Sequence, residues 1–318
     1  MNKKHSLIGF PVSFFPLVRC THDGALLRLR EGSTAAQGPE DAVMDGTLAC
    51  SRCGTAYPIQ GGILNLLTDA VLDPLSATEQ GQRNERGWTV PPQKTPAEVT
   101  SHAIEIAATL EALPVRPVDK LLELGCGEGR YTLEMAGRVD ILAVDFSIQL
   151  LRSLQDQLPP GTKRVGLVLG DVTTVSLAPQ RFDYALSTLT SNLPSRGHRE
   201  KLYRLARMAL APTGRFVFSG HFQGIRQKLT GQAKSATYNN TGIYRYNFCL
   251  HEGFDEVGPH FASVDAHPIQ IYLPLSRTLR LPLLPLSRMA ERIPVLRSFG
   301  NLLLVKADGP RPLPPGTE

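Results

Sequence analysis

Three carboxylates lie in or directly after short apolar runs in the middle of the chain, where they could share one ligand. Glu123 lies within LLELG, Asp145 ends ILAVD, and Asp171 ends VGLVLGD. The apolar runs predict strands of a parallel sheet, because such strands are buried on both faces. Ligands bind beside the carboxyl ends of these strands, so the acids predict a site for a ligand that carries hydroxyl groups or positive charge.

A glycine-rich turn separates the first of these strands from a predicted helix. Gly125, Gly127 and Gly129 form a GxGxG sequence, and glycine is needed where a strand reverses into a helix and its backbone approaches a ligand closely. The spacing is tighter than the GxGxxG of dinucleotide-binding proteins. Glu123 would repel a pyrophosphate, whereas it suits a ligand with an ammonium and a sulfonium group. Cys126, inside the turn, is interpreted as a small space-filling residue rather than a nucleophile.

The two later acids fit the two ends of a nucleoside. Asp145 follows Gly125 by twenty residues, and a carboxylate there can accept hydrogen bonds from both hydroxyl groups of a ribose. Asp171 can accept a hydrogen bond from an adenine amino group, while the backbone of Val172 donates to a ring nitrogen. Either acid alone would be an ordinary helix cap, but the glycine loop and both acids in this order favour a nucleoside site.

Residues 119–220 resemble the class I methyltransferases that use S-adenosylmethionine (SAM). The similarity lies in ELGCGEG, in the acid of AVDFS, in LGDV, in FDYALSTL and in LAPTGRFVFSG. It implies an α/β fold with a Rossmann-like seven-stranded methyltransferase sheet, and SAM as the cofactor. By position, the resemblance implies Glu123 and Gly125 near the amino-acid part of the cofactor, Asp145 on the ribose, Phe146, Asp171 and Val172 at the adenine, and Ser187 near the methionine end. The other residues of the turn that are predicted to bind the cofactor are Cys126, Gly127 and Gly129.

The chemistry of methyl transfer asks little of the protein. A sulfonium is already a strong electrophile, so catalysis needs alignment of the acceptor, and a base only where the acceptor atom is protonated. His221, directly after the predicted fifth strand, is the preferred candidate base, and the alternative is that it packs or caps. Weaker candidates are Tyr131, Tyr244 and His251. Many small-molecule members of the family have two histidines shortly after the fourth strand, where this chain has Ser191 and Asn192.

A second group of potential ligands lies near the N-terminus. Cys50 and Cys53 form a CxxC knuckle that can present two thiolates to a metal ion, and RCTHDG supplies Cys20 with His22 and Asp23. The segment resembles the zinc ribbon of ribosomal RNA guanine methyltransferases and the small zinc-ribbon activator of other methyltransferases, in which a second cysteine stands at the position of Asp23. The resemblance implies Zn²⁺ held by the three cysteines and either His22 or Asp23. The alternative is a metal-free remnant of the ribbon.

The sequence divides into four parts. Residues 1–67 are turn-rich and form the zinc-ribbon-like β module, 68–114 are a linker and a helix over 96–113, 115–220 are the SAM-binding core, and 221–318 cover the acceptor and add the last strands. Core strands are predicted at 119–124, 140–145, 165–170, 182–188 and 214–220, core helices at 129–138, 148–157 and 197–210, and later strands at 267–273 and 300–306.

Composition and charge are those of an ordinary globular protein. Hydrophobic residues make up 42% of the chain and charged residues 20%, and the net charge is +5. Asp and Glu are absent between residues 201 and 251, which suits an anionic acceptor or RNA; the alternative is a set of solvated helix faces. Prolines interrupt the apolar start of the chain, and its apolar runs are shorter than the ~18 residues of a membrane helix, so we expect a cytoplasmic protein without a transmembrane segment.

These features predict a methyltransferase whose acceptor is a small molecule, anionic or lipophilic, bound under residues 221–299. The alternatives are an rRNA or tRNA methyltransferase that uses the ribbon for recognition, and a non-catalytic SAM-binding protein; DNA is not expected as a partner, and the oligomeric state stays open. In residues 274–299, arginines alternate with Leu, Ile and Met. This pattern favours a packed capping helix, with a lid over a lipophilic acceptor or a membrane-surface helix as alternatives.

Overall fold

The computed structural model describes residues 8–30, 34–35, 42–67, 72–86, 96–159, 162, 164–189, 193–238, 241–271 and 282–312. The strands are β1 (Phe10–Pro11), β2 (Leu27–Leu29), β3 (Thr34–Ala35), β4 (Ala42–Cys50), β5 (Ala56–Gln60), β6 (Ile63–Asn65), β7 (Lys120–Leu124), β8 (Asp140–Asp145), β9 (Val165–Leu169), β10 (Phe182–Thr188), β11 (Leu210–Phe222), β12 (Ser235–Thr237), β13 (Tyr244–Phe248), β14 (Phe261–Ile269) and β15 (Leu302–Pro310).

The helices are α1 (Pro74–Arg86), α2 (Pro96–Ala112), α3 (Arg130–Met135), α4 (Ile148–Gln157), α5 (Arg196–Ala209), α6 (Ile225–Leu229), α7 (Leu250–Val257), α8 (Leu283–Ala290) and α9 (Pro294–Arg297). Short 3-10 helices span Val12–Leu17 and Gly258–His260. No helix within these described ranges is both long enough and apolar enough to cross a membrane.

A mixed sheet organises the molecule. Its central order is β9-β8-β7-β10-β11-β15-β14, in which the strands from β9 to β11 run parallel and β15 runs antiparallel to both of its neighbours. The parallel strands are almost wholly apolar because helices or loops cover both of their faces. Their carboxyl ends form one edge of the sheet, called here the carboxyl edge.

The N-terminal module continues this sheet instead of standing apart from it. β6 pairs in parallel with β9, with Ile63 opposite Leu167 and Leu64 opposite Val168, and β5 and β4 extend the sheet further. Tyr57 belongs to the same buried cluster as core residues such as Val144. The division at residue 67 therefore marks a change in the sequence pattern, whereas the sheet hydrogen bonds and the hydrophobic core continue from one side of it to the other.

The predicted core elements agree well with the observed ones. The strands at 140–145 and 182–188 and the helix at 148–157 have the predicted bounds. The strand predicted at 214–220 is longer at both ends, since β11 pairs with β10 from Leu210 onward and also runs three residues past the end of β10. The helix predicted at 129–138 ends early, at Met135, since Gly137 has a positive φ of 77°. The strand predicted at 267–273 overlaps β14 only at 267–269, because β14 begins at Phe261 and ends at Ile269; 272–273 lie outside the described residues.

The predicted linker contains a helix that the sequence interpretation missed. α1 begins at Pro74, and the carboxylate of Asp73 accepts hydrogen bonds from the backbone N–H groups of Leu75 and Ser76 at 3.0 and 3.2 Å. Asp followed by Pro is a typical start of a helix, so the signal was present in the sequence. The later linker residues, 87–95, lie outside the described part of the chain.

Candidate active site

The glycine loop between β7 and α3 is held tightly against β8. The backbone N–H groups of Gly125 and Cys126 both donate to the carbonyl of Val144, at 2.8 and 3.0 Å. Gly125, Gly127 and Gly129 all have positive φ, of 75°, 56° and 78°, which L side chains rarely adopt. The loop therefore turns sharply at the carboxyl edge and leaves its backbone close to the ends of β7 and β8.

Gly129 is also required by packing. A Cβ atom on this residue would lie 2.1 Å from Cδ1 of Leu154, a buried residue of α4. Glycine here lets the start of α3 pack directly on α4, which is one of the roles expected for the last glycine of such a loop.

Asp145 joins the glycine loop to the end of β8. Its buried carboxylate accepts hydrogen bonds from the backbone N–H groups of Gly127 and Ser147, at 2.8 and 2.9 Å. Burial raises the pKa of Asp145 to about 6, although these two donors favour the ionised form. Each carboxylate oxygen has further acceptor capacity, so the group could still receive hydroxyl donors.

Glu123 is a second buried acid at the same edge. The hydroxyl of Thr132, on α3, donates to its carboxylate. Burial raises the pKa of Glu123 to about 7, and the nearby Asp145 adds to the rise. A cation bound at the loop would stabilise both ionised carboxylates.

Strand register places Glu123, Asp145 and His221 on one face of the sheet. Side chains alternate between faces along a strand. Leu121 and Ala143, two residues before Glu123 and Asp145, belong to the buried cluster that includes residues of α2 and α3. Ser219, two residues before His221, is placed on the same face by the register of the strands. The predicted cofactor acids and the predicted base thus project from the same side.

Ser187 projects from the opposite face of the sheet, and its predicted place near the methionine end of the cofactor stays a prediction. The residue is opposite Phe218, which packs in the other core cluster. Its buried hydroxyl donates to the carbonyl of Leu124 at 2.8 Å, which ties β10 to the end of β7. Cys126 is buried, and burial raises the pKa of its thiol well above its usual value, as expected of a space-filling residue.

The predicted adenine-edge residues follow β8 and β9. The Asp171 carboxylate accepts a hydrogen bond from the backbone N–H of Thr173 at 2.8 Å, and both Asp171 and Val172 are half-buried. Phe146, also half-buried, accepts a hydrogen bond at its carbonyl from Nε2 of Gln80 at 2.8 Å. These residues border the same edge as Asp145 and remain partly open to a ligand.

α1 lies over this edge. Besides the bond from Gln80, the side chain of Asn84 accepts a hydrogen bond from the Ser147 hydroxyl at 2.9 Å. Glu79 and Arg83 are buried, pair with each other at 3.2 Å, and act on the pKa of Asp145 in opposite directions. The missed helix therefore contributes side chains beside the candidate ribose site.

The hairpin of β12 and β13 covers the carboxyl end of β10. β11 extends beyond β10, and β13 pairs there with β11, with His221 opposite Asn247. The hairpin also meets α1, since an added Cβ on Gly242 would lie 3.5 Å from a methyl group of Thr78. Helix and hairpin thus approach each other above the edge where the predicted cofactor residues lie.

His221 is held as a neutral imidazole in this place. Burial and the positive charge of Arg245 lower its pKa to about 4. Of the weaker candidates, Tyr131 is buried in hydrogen-bond contact with Thr109 on α2, and His251 is exposed on α7. Tyr244 is half-buried at the start of β13. Ser191 and Asn192, like residues 274–281, lie outside the described residues.

The acid-free stretch between 201 and 251 does not form one basic surface. Arg215 pairs with Asp308 at 2.5 Å, and Lys234 pairs with Glu252 at 2.7 Å. Arg245 lies over the ring of Tyr238, 5.2 Å from its centroid. Acids from later in the chain therefore neutralise part of the positive charge that the sequence concentrates there.

The cysteine residues of the N-terminal module converge. Sγ of Cys20 lies 3.5 Å from Sγ of Cys53, and Sγ of Cys50 lies 3.4 Å from Oδ1 of Asp23. One ligand atom from each of these four residues lies within 4.8 Å of the other three. Tetrahedral bonds of ~2.3 Å would separate neighbouring sulfur ligands by roughly 3.8 Å, so the donor set and its spacing fit Zn²⁺.

His22 is not part of this group. Residues 21–23 form a turn in which the N–H of Gly24 donates to the carbonyl of Cys20 at 3.0 Å. The turn brings the third residue after Cys20 back over the cluster, as in a CxxC knuckle, and that residue is Asp23. Of the two alternatives for the fourth ligand, the geometry favours Asp23.

Comparison with known proteins gives these sites a context. Residues 121–214 match the family model of a methyltransferase domain. The magnesium-protoporphyrin O-methyltransferase of Rhodobacter capsulatus is 37% identical to this chain over 70 residues, which make up 21% of this chain and 30% of that protein. The chain thus spans about 30% of the length of this curated relative.

Two solved structures share the fold. A SAM-dependent methyltransferase structure from Listeria monocytogenes has a TM-score of 0.50 at 15% identity and covers 67% of this chain and 99% of its own. Phosphoethanolamine N-methyltransferase 1 of Haemonchus contortus, in complex with phosphoethanolamine and S-adenosylhomocysteine, has a TM-score of 0.50 at 12% identity and covers 77% of this chain and 50% of its own. Residues 121–214 are thus similar to a methyltransferase domain, and the chain shares its fold with these SAM-dependent methyltransferases.

Proposed function

We propose that this protein is a SAM-dependent methyltransferase that acts on a small-molecule acceptor. The observation that carries the proposal is the joint geometry of the glycine loop and Asp145 at the carboxyl edge. The loop allows a close backbone approach, and the carboxylate beside it can accept hydrogen bonds from ribose hydroxyls. The match of residues 121–214 to a methyltransferase domain supports it.

The proposed cofactor residues divide by chemistry. Asp145 would accept from the ribose hydroxyls, while Phe146, Asp171 and Val172 would border the adenine. Glu123 would act through charge, since its carboxylate is buried behind the loop and occupied by Thr132. When bound, SAM supplies an electrophilic methyl group on a positively charged sulfur.

The acceptor is proposed to bind between the carboxyl edge and the cover formed by α1 and the β12–β13 hairpin. Two relatives are named for small acceptors, magnesium protoporphyrin and phosphoethanolamine, which supports a small molecule here. The partial neutralisation of the acid-free stretch argues against an extended RNA surface. The expected cytoplasmic location stays a prediction.

His221 is proposed to orient the acceptor or take its proton. It is neutral near pH 7, because its pKa is lowered to about 4, so its ring can accept a hydrogen bond from a protonated acceptor atom. The same low pKa makes it a weak base. It would therefore suit an acceptor whose proton is already acidic or leaves late in the transfer.

Methyl transfer can be measured with SAM labelled on its methyl group. The wild-type protein is incubated separately with an organic-solvent extract of cells and with total RNA, and we expect label in the extract. His221→Ala should lower the rate by about 10²-fold while SAM affinity is kept. His267→Ala, on β14 and outside the candidate site, is the matched control and should retain the wild-type rate.

An RNA acceptor would give the opposite pattern. Label would enter RNA, and the apparent affinity would fall by roughly 0.7 log units per phosphate contact for each tenfold rise in salt. That result would overturn the small-molecule proposal.

We further propose that Cys20, Asp23, Cys50 and Cys53 hold one Zn²⁺ ion in a ribbon-like site. Its role would be structural, because a site with four protein ligands leaves no open position for a substrate. The ion would tie the turn at Cys20 to the turn between β4 and β5, at the start of the sheet extension.

Neighbouring substitutions test this metal site. Protein purified without added metal should contain about one equivalent of zinc by elemental analysis. Asp23→Ala should lose most of the zinc and unfold at a lower temperature, whereas His22→Ala should keep both. Zinc below a tenth of an equivalent in the wild type, or a greater loss in His22→Ala than in Asp23→Ala, would refute the assignment.

A further inference from the structure

An exposed apolar surface lies at the carboxyl edge, on the short helices that follow β11 and β14. Leu229 at the end of α6 is 82% exposed, Val295 on α9 is 77% exposed and Met289 on α8 is 63% exposed. Ile225, Ile293 and Phe299 are also exposed. Exposed apolar residues are unremarkable singly, but a group of them on adjoining helices marks an interaction site.

Hydrogen bonds hold these helices next to one another, and their exposed apolar residues are called here the apolar patch. The N–H of Ile225 donates to the carbonyl of Ser298 at 2.9 Å, and Nε2 of Gln227 donates to Oδ1 of Asn301 at 3.2 Å. Nε of Arg297 donates to the carbonyl of Glu291 at 2.7 Å, which links α9 to the end of α8. The patch is therefore a continuous part of the fold.

The exposed charged residues on the helices of the patch are cations. Arg226, Lys228 and Arg292 are exposed among the apolar side chains. The sequence has no Asp or Glu from 210 to 251, and the sole acid from 266 to 307 is Glu291. Glu291 is buried and pairs with Arg288, and Arg288 also pairs with the exposed Glu111 at the end of α2, so the positive charge of the patch rests on the other three cations.

The patch lies on the same edge as the candidate active site. His221, Ile269 and Leu302 are level with one another across β11, β14 and β15. α6 follows β11 directly, and α8 and α9 connect the end of β14 to the start of β15. The glycine loop and Asp145 end their strands at this same edge of the sheet.

We propose that the apolar patch docks the protein on the surface of an anionic lipid bilayer. Apolar side chains that insert among lipid headgroups, flanked by Lys and Arg that contact anionic lipids, form the usual peripheral membrane site. The placement would bring the carboxyl edge to the membrane, where an acceptor that partitions into lipid would be concentrated. Membrane binding does not depend on methyl transfer, so the two proposals can fail separately.

A second copy of the chain fits this surface less well. A two-fold contact through the patch would bring the cations Arg226, Lys228 and Arg292 of the two copies together, while the exposed Glu111 beside the patch is already paired with Arg288. An anionic membrane supplies the missing charge. The exposed apolar side chains that lie between these cations would not contribute to binding RNA phosphates.

Vesicle co-sedimentation of the full-length protein tests the proposal. We expect binding to vesicles of phosphatidylcholine that contain about 30% phosphatidylglycerol and only weak binding to pure phosphatidylcholine. Binding to the anionic vesicles should fall as the salt concentration rises. Lys228→Glu and Arg292→Glu should each lower the partition coefficient about fivefold or more. Leu229→Ser combined with Val295→Ser should lower it about tenfold or more.

Matched controls lie at the opposite edge of the sheet. Val118, 76% exposed just before β7, and Arg138, exposed just before β8, have the same residue types as Val295 and Arg292. Val118→Ser and Arg138→Glu should bind vesicles like the wild type. All of these variants should also titrate with SAM like the wild type, which separates this proposal from the proposed function.

Three results would overturn the proposal. The first is a wild-type protein that binds neither kind of vesicle. The second is an equal loss of binding in the control variants. The third is a concentration-dependent dimer that Leu229→Ser with Val295→Ser dissociates, which would assign the patch to a second copy of the chain.

Discussion

The acids of the candidate active site owe their properties to burial. Asp145 and Glu123 have pKa values raised to about 6 and about 7, because little water reaches them. Keeping these groups ionised costs folding free energy, and this cost grows as the pH rises from about 4 toward 7, since the unfolded chain releases its protons earlier. A bound cation would repay part of it. The site is thus less stable alone than with a positively charged ligand.

Some features of single residues could be predicted from the sequence and others could not. Asp145 was identifiable because a strand end and a glycine loop fix its surroundings locally. The side of the sheet on which Ser187 projects could not be predicted, because it depends on the register between β10 and β7. The choice between His22 and Asp23 depends likewise on a turn that closes against residues some thirty positions away.

At the scale of elements, the strands and helices of the core follow from hydrophobic periodicity, whereas the cover of the site does not. α1 is largely polar, so the helical pattern in its sequence is weak, and its partners are Phe146 and Ser147 far along the chain. The pairing of β6 with β9 could not be predicted from the sequence either, because backbone pairing between two strands does not alter the hydrophobic periodicity of either strand.

The junction of the glycine loop, α3 and α4 gives an element-scale prediction. Gly129→Ala forces a Cβ to within 2.1 Å of a Leu154 carbon, whereas Gly137, with an almost equal φ of 77°, has open space at that position. Both alanine variants bear the cost of a positive φ, about 1 kcal/mol, and Gly129→Ala adds about 1–3 kcal/mol of overpacking.

Denaturant unfolding of the two variants measures this difference directly. Gly129→Ala should be the less stable by that added amount, and it should also bind SAM more weakly. Equal free energies of unfolding would show that α3 and α4 do not pack as described.

The whole molecule places its functional features at one edge. The glycine loop, the two buried acids, His221, the cover of α1 and the hairpin, and the apolar patch all lie where the parallel strands end. The opposite edge carries the exposed Val118 and Arg138 and none of the predicted cofactor residues. The proposed zinc site lies apart from these features, at the turn between β4 and β5.

The central claim is that this edge binds SAM through Asp145, and calorimetric titration of the folded protein with SAM tests it most directly. We expect a Kd in the micromolar range at pH 7.5, weakened about tenfold at pH 5, because binding then requires deprotonation of a carboxyl with a pKa of about 6. Asp145→Asn should bind at least about tenfold more weakly at pH 7.5 and show a flatter pH dependence. Asp140→Asn, at the other end of β8, should behave like the wild type. Absence of saturable SAM binding by the folded wild-type protein, or unchanged affinity in Asp145→Asn, would contradict the account.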